Sequence, residues 1–159
     1  MKARITLIKE KTAQMVSEVF PDIQNFHDKK EFLEPEDCPA IVISSDYPVN
    51  YKSEAGGNIR ASGVVSCDIY LLRGRQYGQN QDTDLLVEVV RLRLSKDPYL
   101  ESVVSNYFVS ETYCESMISK SQVRAIRINI NYEYLIPAEE VLDNIPENYS
   151  VEGRPVLWN

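Results

Sequence analysis

The clearest pattern in the chain is the alternation across residues 122–135. Ile126, Ile128, Ile130, Tyr132 and Tyr134 fall on one side of an extended backbone, and Arg127, Asn129, Asn131 and Glu133 fall on the other. Successive side chains of a strand point to opposite faces, so this pattern predicts a long antiparallel strand with one apolar face and one flat, polar face. At about 3.3 Å per residue such a strand runs roughly 40 Å, which predicts a sheet that extends past its own core.

The same reading orders the rest of the chain as α, β, α, β. Ile5, Ile8, Met15, Val16 and Val19 recur at helical spacing, with Lys9, Glu10, Lys11 and Gln14 opposite, so residues 3–19 read as an amphipathic helix stopped before Pro21. Residues 23–26 suggest a short strand, and 27–37 a polar segment. Residues 38–45 read as a buried strand that starts after Pro39, where a missing N–H matters least. Residues 47–60, with Pro48 and Gly56-Gly57, look like a long hairpin loop, and 61–72 like the antiparallel partner, with Val65, Cys67, Ile69 and Leu71 on one face. Residues 74–82 form a second polar loop, ending in Asp82 or Thr83 as helix N-cap.

Leu85, Leu86, Val89, Val90 and Leu94 then make an apolar helical stripe, broken at Lys96-Asp97-Pro98. Residues 99–104 suggest one more helical turn. The strand predicted over 107–118 places Tyr107, Val109, Tyr113 and Met117 on one face and Phe108, Cys114 and Ile118 on the other. Beyond Pro137 the chain carries a short helical candidate at 138–142 and an apolar end, Val156-Leu157-Trp158. A proline-punctuated segment of this kind cannot offset its own ordering entropy, so it is expected to lie on a neighbour or stay disordered. The fold class that results is α+β: a mixed, mainly antiparallel sheet packed against two helices, with an extended C-terminal arm. The domain spans 1–136 and the arm 137–159.

Composition narrows the class without naming a chemistry. A chain of 159 residues, 43% hydrophobic and 26% charged, fits one globular domain. No apolar run approaches the ~20 residues of a membrane span, and Met1-Lys2-Ala3-Arg4-Ile5 leads into a charged segment instead of a signal sequence, so a cytoplasmic protein is expected. The net charge of −7 removes the counterion-release drive for gripping nucleic acid, while suiting a wall that DNA slides past. Cys38, Cys67 and Cys114 are odd in number and widely spaced, and read as reduced core residues.

Candidate chemistry is sparse. His27, the single histidine, sits beside Asp28, Lys29 and Lys30 and reads as a solvated loop residue instead of a catalytic base. Asp82 and Asp84 could share a metal, but capping explains Asp82 more simply. Gly56-Gly57 and Arg73-Gly74-Arg75 lack a phosphate-loop pattern and read as turns. No catalytic, cofactor or metal residue is assigned, and no cofactor is expected. Arg60, Arg73 and Arg75, near loop ends, together with Trp158, are the candidates for partner contact.

The order of elements, with Asp37-Cys38-Pro39-Ala40-Ile41-Val42-Ile43 opening the second strand, the Leu-rich helix broken at Asp97-Pro98, and the closing Asn131-Tyr132-Glu133-Tyr134, resembles the tail terminator proteins of long-tailed bacteriophages, the lambda minor tail protein U-like group. The resemblance covers residues 1–136. It implies a non-enzymatic virion protein of the tail neck, present in the host cytoplasm during assembly. As a hexameric ring it would cap the tail tube protein, stop further polymerisation and offer a surface to the head–tail connector protein. DNA would pass through the ring without specific binding, and no membrane would be involved. The arm goes beyond the lambda-like pattern, which leaves contractile and non-contractile tails both open. Other readings are a different neck component, such as an adaptor or stopper, a related injection machine, and a small cytoplasmic enzyme with a site between subunits. Because the cysteines and the histidine show no ligand spacing, elemental analysis of the purified protein is expected to find no stoichiometric zinc or iron.

Overall fold

The computed structural model of the chain describes residues 3–27, 35–45, 49–72, 83–115 and 123–143. Along the chain come α1 (Arg4–Val19), β1 (Gln24–His27), β2 (Ala40–Ser44), β3 (Asn50–Ser53), β4 (Ile59–Leu72), α2 (Thr83–Leu94), β5 (Asn106–Glu115), β6 (Val123–Ile136) and α3 (Ala138–Asp143). Short 3-10 turns occupy Pro35–Asp37 and Ala55–Gly57. The six strands form one sheet in the order β1-β2-β4-β6-β5, with β3 beside the first part of β4. Only β1 and β2 run parallel; the other pairs are antiparallel. The fold is therefore α+β, as the alternation predicts. No described helix is long and apolar enough to cross a membrane.

The spine of the sheet is the pairing of β4 with β6, which runs unbroken from Ile59 opposite Ile136 to Leu72 opposite Val123. On its apolar face Val65, Cys67, Ile69 and Leu71 of β4 meet Ile126, Ile128 and Ile130 of β6, all buried. Ile8, Met15 and Val16 of α1 and Leu86, Val90 and Leu94 of α2 join the same cluster, so both long helices cover this one face. Each fully buried aliphatic side chain contributes about 1.5–3 kcal/mol. The hydroxyls of Thr12 and Tyr107 that enter this layer are matched. Thr12 Oγ1 donates to the Ile8 carbonyl at 2.8 Å and lies 2.9 Å from the Tyr107 hydroxyl, which ties α1 to β5 in the interior.

Four expectations are corrected. The last part of β6 does not run past the core: Tyr132 and Tyr134 are buried, stacked with ring centroids 6.1 Å apart, and the final Ile136 packs half-buried against the same cluster. The Arg4 guanidinium lies 5.2 Å from the Tyr134 ring centroid, donates to the Leu135 carbonyl at 2.9 Å and pairs with Glu140 at 2.8 Å. A cation in the first turn opposes the helix dipole, and these contacts offset that penalty while tying α1, β6 and α3 together. α3 is also held by the Ala138 N–H, which donates to Asn58 Oδ1 at 3.0 Å.

The loop expected over 47–60 is largely structured. β3 pairs with β4 from Asn50 opposite Ser62 to Ser53 opposite Ile59, and the turn between them uses Gly56 and Gly57 at φ +83° and +81°. Both glycines thus occupy left-handed backbone that other residues adopt only with strain. The helical turn expected over 99–104 is replaced by a left-handed one: Leu100, Glu101 and Ser102 have φ of 43°, 52° and 71°. Left-handed helical backbone costs roughly 1–2 kcal/mol per L-residue. Here it is held by burial of Leu100, by the Asp97 carboxylate accepting from the Tyr99 and Glu101 N–H groups at 3.1 and 2.9 Å, and by a Lys11–Glu101 ion pair.

The fourth correction concerns β5. Val109 is opposite Ile130 but Glu111 is opposite Asn129, so a bulge at Ser110 inverts the alternation. Cys114 then pairs with Ile126 and Tyr113 with Arg127, the reverse of the assignment made from spacing alone.

Gly63, opposite Tyr132, is required by close packing. A Cβ there would come within 2.5 Å of the Tyr132 hydroxyl and 2.8 Å of its ring. The hydroxyl is itself buried without a hydrogen-bond partner, and burial pushes its pKa up. Gly63→Ala is expected to lower stability by about 1–3 kcal/mol through overpacking. Tyr132→Phe removes an unpaired buried hydroxyl and should be neutral or stabilising, and the double variant should recover part of the loss. Urea unfolding of the three variants checks this.

Candidate interaction surface

The second face of the sheet carries the residues that alternate with the core. In its middle, Ser66 Oγ donates to Asn129 Oδ1 at 3.0 Å, and Arg127 forks onto Asp68 at 2.7 and 2.8 Å. Ser66, Asp68 and Asn129 are buried. These directly opposed residues act as cross-strand pairs, and the Arg–carboxylate fork satisfies two charges that would otherwise be costly to remove from water.

Toward the turn between β3 and β4 this face opens into a trough of about 400 Å3. Two rows across the strands build it: Asn50, Ser62, Glu133 and Asn106 in one, Val64, Asn131 and Phe108 in the next. Phe108 is 48% exposed, an uncommon state for a phenylalanine in a strand. It lies on β5, whose outer edge pairs with no described strand. Amides, a hydroxyl, the Glu133 carboxylate already paired with Arg60, and an exposed aromatic side chain on a concave surface suit an extended peptide with one large side chain.

A second apolar patch lies on the opposite layer. α2 turns Leu85 and Leu92 outward, seven residues apart and thus on one helical face, and Tyr99 in the following turn is exposed as well. Leu92 is 71% exposed. The basic side chain Arg93 on the same helix is tied at 2.6 Å to Glu18 of α1.

Of the residues singled out from sequence, Arg60 is placed in full. Its guanidinium bridges Glu54 of the turn at 2.5 Å and Glu133 of β6 at 2.7 Å, so it locks the end of the sheet. Arg73, Arg75, Asp82 and Trp158 lie outside the described residues, as do the side chains of His27 and Asp84. Cys38 and Cys67 are buried, and burial pushes both thiols up. Among the described residues no cluster of His, Cys, Asp and Glu could hold a metal. The trough residues Asn50, Asn106 and Phe108 were not singled out from sequence. The polar alternation of β6 signals that this face is presented outward, but the rows across strands depend on register, which sequence does not carry.

No family model matches the chain, and comparison with curated proteins finds no match.

The Arg60 bridge makes a pH-dependent prediction. Its hydrogen bond holds the Glu54 carboxyl below the usual carboxylate range. A lowered folded-state value means the stabilisation is present above the ordinary carboxylate pKa and is lost as pH falls through the lowered one. Thermal melts should therefore show Arg60→Met clearly less stable than wild type at pH 7, with the difference shrinking toward pH 3.

Proposed function

We propose that the chain is a tail terminator, a ring-forming protein that caps the end of a phage tail tube, stops its polymerisation and offers the surface for head attachment. The observation that carries this reading is the order of elements. α1, the short β1, the proline-led β2, the long β4, α2 broken at Asp97-Pro98 and the closing pair β5 and β6 follow one another in the order on which the resemblance to that family rests.

Two features of the surface support it. A closed ring needs heterologous contacts, in which each subunit presents two different patches. Two surfaces on opposite layers are candidates for these contacts, the trough beside Phe108 and the exposed Leu85 and Leu92 of α2. The net charge of −7 suits passage of DNA through the ring without retention. Premature closure is avoided if the isolated subunit associates weakly and the tube end supplies the remaining contact area.

Deletion of the gene is expected to give filled heads without tails and tails of uncontrolled length, visible by electron microscopy of the lysate. Normal-length finished tails beside unjoined heads would instead point to a head-side adaptor and overturn the terminator reading.

A further inference from the structure

The trough on the second face has a size, a chemistry and a position that bear on what fills it. Its volume, near 400 Å3, falls within the roughly 300–1,000 Å3 of small-ligand sites. Phe108 and Val64 give it apolar wall, while Asn50, Asn106, Asn131 and Ser62 supply donors and acceptors for a peptide backbone or an indole N–H. Such a mixture fits tryptophan, which presents a large apolar body and one polar atom. The sequence holds a single tryptophan, Trp158, next to Val156 and Leu157.

The described fold ends at the same end of the sheet as the trough, on the side of the helical layer. α3 closes at Asp143 and is fastened to Asn58 at the turn between β3 and β4 and to Arg4, at the end of the sheet where β3 pairs with β4. Residues 144–159 follow, and at about 3.3 Å per extended residue they reach roughly 50 Å, enough to arrive on an adjacent subunit. We propose that residues 155–158 of one copy seat in the trough of its neighbour, with Trp158 against Phe108 and the preceding backbone over the amides. The proposal rests on the ring reading only in taking the neighbour to be another copy of this chain. The docked arm adds contact to each subunit junction without adding to the folded domain.

The test uses the full chain carrying Trp158→Ala, which contains no tryptophan, and a synthetic peptide of residues 151–159 as the sole indole fluorophore. Titration should move the peptide emission to shorter wavelength and saturate. Phe108→Ser or Asn106→Arg, both at exposed positions and each checked for an unchanged melting curve, should weaken binding about tenfold, the scale of losing one anchor contact. Absence of saturable binding, or equal binding by both variants, overturns the proposal. In wild-type protein, Trp158 emission should shift only as concentration drives association; a shift already complete in the monomer would place the arm on its own subunit and overturn the assignment to a neighbour. Peptide binding is measured without tails or heads, so its outcome is separate from that of the deletion lysate.

Discussion

The β4–β6 ladder is the constraint on which the rest of the molecule depends. It fixes which residues of both strands face α1 and α2, and a slip of one residue would bring Asp68, Arg127 and Asn129 into the apolar layer in place of Ile69, Ile126 and Ile128. Each neighbouring element takes its place from this pair. β2 and β3 line one side of β4, β5 lines the far side of β6, and the helices cover the isoleucines between them. The Asp68–Arg127 and Ser66–Asn129 pairs on the other face are satisfied only in this register, so the polar side reinforces the choice made by the apolar side.

Much of this architecture is legible in sequence because hydrophobic burial is strongly periodic here. The isoleucines of β6, the stripe of α2 and the alternation of Val65, Cys67, Ile69 and Leu71 are repeated signals of a single choice between inside and outside. The departures come where a specific local interaction outweighs periodicity. Asp97 and the buried Leu100 turn 99–104 left-handed, though the residue types would accept an ordinary helical turn. In the same way, the extra residue at Ser110 inverts the face of β5 with no glycine or proline to announce it.

The candidate interaction surface is less legible for a related reason. Arg60 stands out in sequence as a cation near a loop, yet Glu54 and Glu133 close on it because hairpin geometry and strand register bring them there, 6 and 73 residues away along the chain. Asn50, Asn106 and Asn131 look unremarkable one by one and become a shared surface only when four strands, β3, β4, β6 and β5, align them. Phe108 belongs to the outward face in the alternation of β5, but its exposure follows from β5 being the edge of the sheet.

The bulge at Ser110 also governs which strands β6 will accept. Because β5 changes parity part-way along, a strand lacking that extra residue could stay in phase with β6 over only one of the two stretches. The pair therefore works as a key with a notch. A foreign strand, or β5 of another molecule entering out of step, would need an additional residue at the same point to pair along the full length. The side of β6 that β5 covers is thereby matched to a strand that carries the same notch.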